Sequence, residues 1–303
     1  MSNTLGGSHL GSAPAVADRD FRNSGTPPQA ATADVLMITH NRPHYTRLAL
    51  RALLDRSDPA MRIWLWHNGD DSETLEVLDE YRDELYAFHH SRENVGLREP
   101  TNWLFAKAQG EYLGKVDDDC IVPMDWGRQL RLAHEAEPRL GVLGCWRFQT
   151  EDFRPELAQR KIQTFSRGQQ VLVNLWVEGS GYLMKRACVD RIGPLRKGVS
   201  FTNYCIQIGR LGWINGWVYP FIYQEHMDDP RSPNSALHSD ADLRRFMPLS
   251  AKRTGVTRMD QWLEQLRASA LAAQTAPTDP RYWSPLRMRL RRAFALGRAA
   301  LTK

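Results

Sequence analysis

Three consecutive aspartates, Asp117, Asp118 and Asp119, stand in the stretch KVDDDCIVP (115–123), between an apolar run and a proline. Adjacent carboxylates repel one another at neutral pH, and Asp is a poor strand former, so the placement needs a reason. One reading is a solvated turn. The other is a cation site, because carboxylates are hard oxygen ligands that suit Mg2+ or Mn2+ and leave positions for phosphate oxygens. Polar clusters close two earlier apolar runs as well, THNR (39–42) and HNGDD (67–71). Further along, YQEHMDDP (223–230) gathers Glu225, His226, Asp228 and Asp229, and VEGSG (177–181) sets Glu178 before a Gly-Ser-Gly bend. A carboxylate at such a bend could take the proton of an attacking hydroxyl if it lies within hydrogen-bond reach. A structural carboxylate bonded to nearby amides would have the same sequence.

The elements that must position these groups follow from apolar periodicity. DVLMITH reads as a short buried strand, and PHYTRLALRALLDRS as a helix with Pro43 in its first turn. RIWLWHNG is a second strand ending in a turn signal, and SETLEVLDEYRDEL a helix with Ser72 as its N-cap. YAFHH is a third strand, REPTNWLFAKAQG a helix ending on Gly110, and EYLGKVDDD a fourth strand. Strand–helix alternation predicts a parallel sheet with helices on its faces. Ligands of such sheets gather at the carboxyl ends of the strands, where all three polar clusters lie. They should converge on one crevice, which favours the cation site over the turn.

The 303 residues suffice for a sizeable core, and no apolar run reaches the length of a membrane span. The N-terminus shows no secretory signal pattern, and Cys120, Cys145, Cys188 and Cys205 form no CxxC pair. Reduced thiols in a cytoplasmic compartment are the simplest expectation, without structural zinc. The net charge of +5 is unevenly spread: residues 250–303 hold 11 basic and 3 acidic side chains, the rest 29 and 32. A mildly acidic body is the wrong partner for phosphate backbones, so nucleic-acid binding is not expected. Residues 1–32, rich in Gly, Ser, Ala, Pro and Thr, read as a disordered leader. At the other end, 282–303 places Leu286, Leu290, Phe294, Gly297 and Leu301 on one helical stripe beside Arg287, Arg291 and Arg298. Such a helix suits an anionic membrane surface, with Tyr282 and Trp283 at the headgroup boundary, or docks on the body through the same stripe.

From 34 to 123 the chain resembles the nucleotide-binding half of family 2 glycosyltransferases. The resemblance runs through VLMITHNRPHYTRLALRALL, WLWHNGDD and ENVGLREPTNWLFAKAQGEYLGKVDDDCIVP. It implies the GT-A fold, an α/β fold whose mostly parallel central sheet is flanked by helices, here with a C-terminal helical tail. The expected organisation is a leader (1–32), a GT-A domain (33–248, its nucleotide and metal half 33–123 and acceptor half 124–248) and a basic tail (249–303). The implied activity moves a sugar from a nucleotide-diphosphate donor to a glycan or lipid-linked acceptor, by direct attack with inversion. Cell-surface polysaccharide or glycoconjugate synthesis is the setting, with the enzyme cytoplasmic and peripheral on the inner face of the membrane.

By the same resemblance, Asp117 holds the ribose or assists the metal, and Asp119 coordinates Mn2+ or Mg2+ on the donor diphosphate. Asp118 faces solvent or the sugar, and Thr39, Asn41 and Arg42 follow the first strand, where the family contacts the nucleotide. Asn94 belongs to the Asn-x-Gly pattern, and His226 falls where several GT-A enzymes place a metal ligand. Two departures concern the donor. His67 stands where the family has a base-recognising acid, which leaves Asn68, Asp70 or Asp71 for that role. Thr101 replaces the basic residue before Asn102, which leaves Arg98 for the diphosphate. A third departure concerns the general base: counting back from the Gly212 turn, Ser200 and Phe201 occupy the place of the usual Glu-Asp pair. Glu178, Glu225, Asp228 and Asp229 are the candidate replacements, Glu178 first and Asp229 second. A retaining transferase, or a non-catalytic sugar-nucleotide or glycan-binding relative, is the alternative that the missing pair leaves open. Trp146, Trp176, Trp213 and Trp217 read as core or cleft walls more readily than as a sugar platform.

Overall fold

The computed structural model describes residues 33–283. Its strands are β1 (Ala33–Thr39), β2 (Met61–Asn68), β3 (Ala87–Ser91), β4 (Tyr112–Asp117), β5 (Cys120–Ile121), β6 (Leu140–Gly144), β7 (Ile162–Thr164), β8 (Gln170–Asn174), β9 (Tyr182–Lys185), β10 (Ile214–Tyr219) and β11 (Glu225–His226). Between them run helices α1 (Pro43–Arg56), α2 (Ser72–Glu80), α3 (Arg98–Lys107), α4 (Trp126–Ala136), α5 (Pro155–Ala158), α6 (Arg186–Ile192) and α7 (Phe201–Arg210). After β11 come α8 (Asp240–Arg245), α9 (Leu249–Thr254) and α10 (Met259–Thr275).

Nine strands form one sheet in the order β3-β2-β1-β4-β9-β6-β10-β8-β7. The pairs among β3, β2, β1 and β4 are parallel, as is β6 with β10, while β9 runs antiparallel between β4 and β6. A separate two-stranded ribbon pairs β5 with β11. Every residue of β1 is buried, as a strand covered on both faces must be. Val35 and Met37 point into a core with Leu50 and Leu53 of α1, while Leu36 and Ile38 face the other core with Leu104 of α3 and Ile208 of α7.

Two element ends differ from the sequence expectation, and each has a cause. The N-cap of α2 is Asp71, whose Oδ2 accepts the Thr74 N–H (2.9 Å), so Ser72 is the first helical residue. Helix α3 stops at Lys107, three residues before Gly110. The fully buried Asp34 takes the N–H groups of Gln109 (3.0 Å) and Gly110 (2.7 Å) and draws the chain into β4. The same carboxylate accepts from Arg62 (Nε 2.7 Å, Nη2 2.8 Å) and Trp64 Nε1 (2.7 Å), fastening the amino ends of the first strands.

Residues 249–275, assigned to the tail on charge, form α9 and α10 and pack on the body. Ala251, Trp262 and Leu266 share an apolar cluster with Leu237 and Leu243, and Trp262 Nε1 donates to Asp228 O (2.7 Å). Lys161 Nζ donates to Ala273 O (2.7 Å) from the sheet side. Trp283 sits edge-on to Trp176 at 5.1 Å, and its carbonyl accepts from Arg210 Nη2 (2.8 Å). The leader at 1–32 and the amphipathic stretch at 284–303 lie outside the described residues. The four cysteines are free and buried. Among the described residues no helix is long and apolar enough to cross a membrane.

Candidate active site

Parallel pairing of β4 with β1 sets Asp117 opposite Ile38 and so delivers the acidic triplet to the carboxyl edge beside Thr39. Asp117 pairs with the buried Lys115, and its N–H donates to Ser180 Oγ (2.9 Å). Burial pushes the Asp117 carboxyl up, against the pull of Lys115. Asp118 Oδ2 accepts the His40 N–H (3.1 Å), and burial pushes its carboxyl up to about 7 although Arg42 opposes the rise. Asp119 Oδ1 accepts the Cys120 thiol (3.1 Å).

The ribbon builds the other half. Its antiparallel register places His226 opposite Cys120, and the Met227 N–H donates to Asp119 O (2.8 Å). That brings the buried His226 to 3.9 Å from Asp119, Nε2 to Oδ2. Asp228 follows two residues later, and ligand atoms of Asp119, His226 and Asp228 lie within 4.8 Å of one another. Arg42 holds Asp228 through Nη1 (3.1 and 3.0 Å) and the Phe246 carbonyl through Nη2 (2.8 Å). Burial raises Asp228, with Arg42 opposing and Asp119 adding, whereas His226 and Arg42 together outweigh burial at Asp119 and hold it low. Burial and the nearby Arg147 charge keep the imidazole neutral, its pKa near about 4. Two crowded carboxylates and one neutral imidazole make a donor set that fits a divalent cation, Mn2+ better than Mg2+ because of the nitrogen.

Arg147, just past β6, joins this centre to Glu178. Its Nη2 lies 2.7 Å from Glu178 Oε2, and its Nη1–H donates to His226 Nε2 (3.1 Å). Sequence reasoning missed Arg147 and considered Asp228 only as a base. Signals for both exist: a lone basic residue between Trp146 and Phe148 in an apolar run, and the His-x-Asp spacing of 226–228.

The other candidate residues fall into two groups. Thr39 Oγ1 bonds His67 Nδ1 (2.9 Å), both side chains buried, and burial keeps His67 neutral at about 4. Asn41 has a left-handed backbone (φ 49°), and its Oδ1 would be 2.4 Å from a Cβ at residue 69, so Gly69 is required there. Asn68 bonds Gly96 O (3.1 Å) and Trp66 Nε1 (3.0 Å), and Asn94 Oδ1 accepts the Gly96 N–H (2.9 Å). Of these four, Thr39 and Asn68 are buried and Asn41 and Asn94 are exposed. Asp70, 3.7 Å from His90, and Arg98, on Glu99 at 3.3 Å, are exposed.

Among the base candidates, Asp229 is taken up by Arg231 (Nε 2.9 Å, Nη2 2.8 Å), which also binds Asp152 and Glu151. Glu225 is bonded to Ser232 and to Asn234 (N 3.1 Å) within its own loop. Ser200 caps α7 by accepting the Asn203 N–H (3.2 Å), and Phe201 stacks on Tyr182 at 4.4 Å. Glu178, beside a Gly179 whose Cβ position is open, is held by Arg147. Trp146 and Trp217 are fully buried, Trp176 packs on Trp283, and Trp213 lies under Lys185 (5.6 Å).

Residues 34–190 match the family model described as glycosyl transferase family 2. Among solved structures, the chain is similar to mannosyltransferase PcManGT from Pyrobaculum calidifontis in complex with GDP-Man and Mn2+. The two share 15% identity over 88% of this chain and 80% of that one, with a TM-score of 0.54. TarS of S. aureus in complex with UDP-GlcNAc is similar at 17% identity over 80% of this chain and 72% of that one, TM-score 0.52. Identities this low speak to the fold alone. A comparison with curated proteins returns no match.

Proposed function

We propose the following reaction for this chain, which belongs to glycosyl transferase family 2 and is a glycosyltransferase. A sugar passes from a nucleoside-diphosphate donor to a hydroxyl of a glycan or lipid-linked acceptor, with inversion at the anomeric carbon. The observation that carries this reading is the meeting of Asp119, His226 and Asp228, within 4.8 Å, at the carboxyl edge of the sheet. Those three residues would hold Mn2+ or Mg2+, and a bound cation offsets the charge on the departing diphosphate. Arg42 keeps Asp228 aimed at the site, and Asp117 and Asp118 offer carboxyl oxygens to the ribose and the sugar. Exposed Asp70 and Arg98 would reach the donor directly, while Thr39, Asn41, Asn68 and Asn94 set the wall it rests on.

The acceptor oxygen bonds to the anomeric carbon as the bond from that carbon to the diphosphate oxygen breaks. The acceptor proton passes to Glu178, which stands beside the open backbone of Gly179. Asp229 ranks behind it because it is buried with both oxygens taken by Arg231, whereas Glu178 is partly exposed and meets Arg147 through Oε2. One observation favours a retaining reaction instead: Ser200 and Phe201 stand where an inverting relative carries its base. Polysaccharide or glycoconjugate synthesis at an anionic membrane face, reached through 282–303, is the setting that the basic tail supports.

GDP-Man and UDP-GlcNAc, the ligands of the two similar structures, are the first donors to test, each with Mn2+, for release of nucleoside diphosphate. Hydrolysis that needs Mn2+ is the expected result. Tight donor binding with no turnover would instead mark a binding relative. With an acceptor in hand, the anomeric configuration of the product separates inversion from retention.

A further inference from the structure

The reaction above leaves one charged, half-buried group of the centre without a task. Arg147 Nη2 lies 2.7 Å from Glu178 Oε2, and its Nη1–H donates 3.1 Å to His226 Nε2. Its Nε is buried without a hydrogen-bond partner. A neutral imidazole nitrogen offers one in-plane lone pair, which can accept from a guanidinium or bind a cation but not both. We infer that Arg147 is a positioning residue that competes with the divalent cation for His226, holding its Nε2 in the cation-free protein and yielding it when the cation binds. This rests on the cation reading of Asp119, His226 and Asp228.

The geometry says which partner moves. His226 is 4% exposed and sits on a ribbon fixed by its pairing with Cys120 and by the Met227–Asp119 hydrogen bond, so the imidazole has little room to turn. Arg147 has the longer side chain and a second anchor in Glu178, about which its guanidinium can pivot. Cation binding therefore shifts the group that also holds the base. The charge of Arg147 adds to the competition, because it repels a divalent cation at close range in a poorly screened site.

Mn2+ alone, titrated into the full chain and followed by electron paramagnetic resonance, tests this. Arg147→Met should bind Mn2+ at least about 10-fold more tightly than wild type, the scale of one charge-assisted hydrogen bond. A merely structural arginine would give the opposite sign, since its loss would loosen the site. Arg147→Met with Glu178→Gln leaves no unpaired carboxylate, protects the fold, and should bind Mn2+ more tightly as well. If Asp119→Asn abolishes Mn2+ binding while both Arg147 variants bind like wild type or worse, the competition is refuted and the cation site stands. If neither wild type nor any variant binds Mn2+, the cation site falls and the competition with it.

Discussion

Replacing Asp119 by Asn distinguishes a site carboxylate from a structural one, because only the structural role costs much stability in the cation-free protein. In the cation-free protein Asp119 makes few contacts that the fold needs. Its Oδ1 accepts from the Cys120 thiol at 3.1 Å, and its Oδ2 stands 3.9 Å from His226 Nε2. Against these, its oxygens share a space within 4.8 Å with those of Asp228. Two full charges at that separation repel by about 3 kcal/mol at an effective dielectric of ~20. Part of this is already relieved, since burial raises Asp228 toward its protonated form and Arg42 binds it. The isosteric amide keeps an acceptor for Cys120. Asp119→Asn removes the repulsion from Asp228 and also the attraction of His226 and Arg42 that holds Asp119 low. Stability should therefore stay within about 1 kcal/mol of wild type, roughly 2–4 °C in Tm for a domain of this size.

The response to cation should change much more. At Mn2+ 100-fold above its Kd, the wild type gains about 2.7 kcal/mol. That is roughly 5–10 °C of Tm, and the variant should gain none of it. Melting curves with and without MnCl2 read both effects, and calorimetric titration of GDP-Man and UDP-GlcNAc in Mn2+ reads donor binding. A metal-free Tm more than about 6 °C below wild type would make Asp119 structural. An undiminished Mn2+ gain in the variant would show that it is no ligand.

Three further outcomes are expected. Glu178→Gln should lower transfer by about 10²–10⁴-fold with donor affinity nearly constant, and near-normal transfer would remove Glu178 as the base. Asp229→Asn should instead destabilise the fold by about 1–3 kcal/mol, because it removes one of the two buried carboxylates, Asp229 and Asp152, that hold Arg231; a denaturant midpoint equal to wild type would contradict that. Asp34→Asn leaves at least two of five donors facing an amide N–H2 in either flip, a loss of about 3–5 kcal/mol, and a loss below about 1 kcal/mol would refute the clamp. His134 offers a pH test away from the site: its Nε2 lies 3.1 Å from Leu183 O, Tyr112 stacks on it, and burial with Lys185 nearby lowers it to about 4. Its folded pKa is below the unfolded value of about 6.5, so its contribution is complete above that pH. The contribution then falls by about 1.4 kcal/mol per pH unit as pH drops toward 4, and an NMR titration midpoint above 6.5 would reverse the sign.

The fold of residues 33–123 was legible because its signals are local. The apolar run of β1 is buried on both faces, Pro43 opens α1, and strand–helix alternation alone implied the parallel sheet that the structure contains. What failed at this level had distant causes. Gly110 looked like a helix stop, but Asp34, 76 residues earlier, ends α3 sooner by capturing the following amides. Charge counting set a basic tail apart from residue 249 and left its docking on the body open; Trp262 and Leu266 on α10 do pack there, which a net basic count does not register.

Residues 124–248 illustrate a harder limit. Residue types nominated Glu178, Glu225, Asp228 and Asp229, but partners decide what each carboxylate can do, and partners depend on tertiary reach. Arg231 takes Asp229, Ser232 and Asn234 take Glu225, and Arg42 takes Asp228 from the start of α1. Glu178 is partly exposed, and its partner Arg147 is also bonded to His226. Glu178 and His226 are thus linked through one guanidinium, so substitutions at the two should not be independent. Two residues joined through a shared partner show coupling of about 0.5–3 kcal/mol, whereas distant sites add. A double-mutant cycle on Mn2+ affinity with Glu178→Gln and Arg147→Met would measure that link. Strict additivity there would mean that the bond between Arg147 and Glu178 has no bearing on how the cation is held.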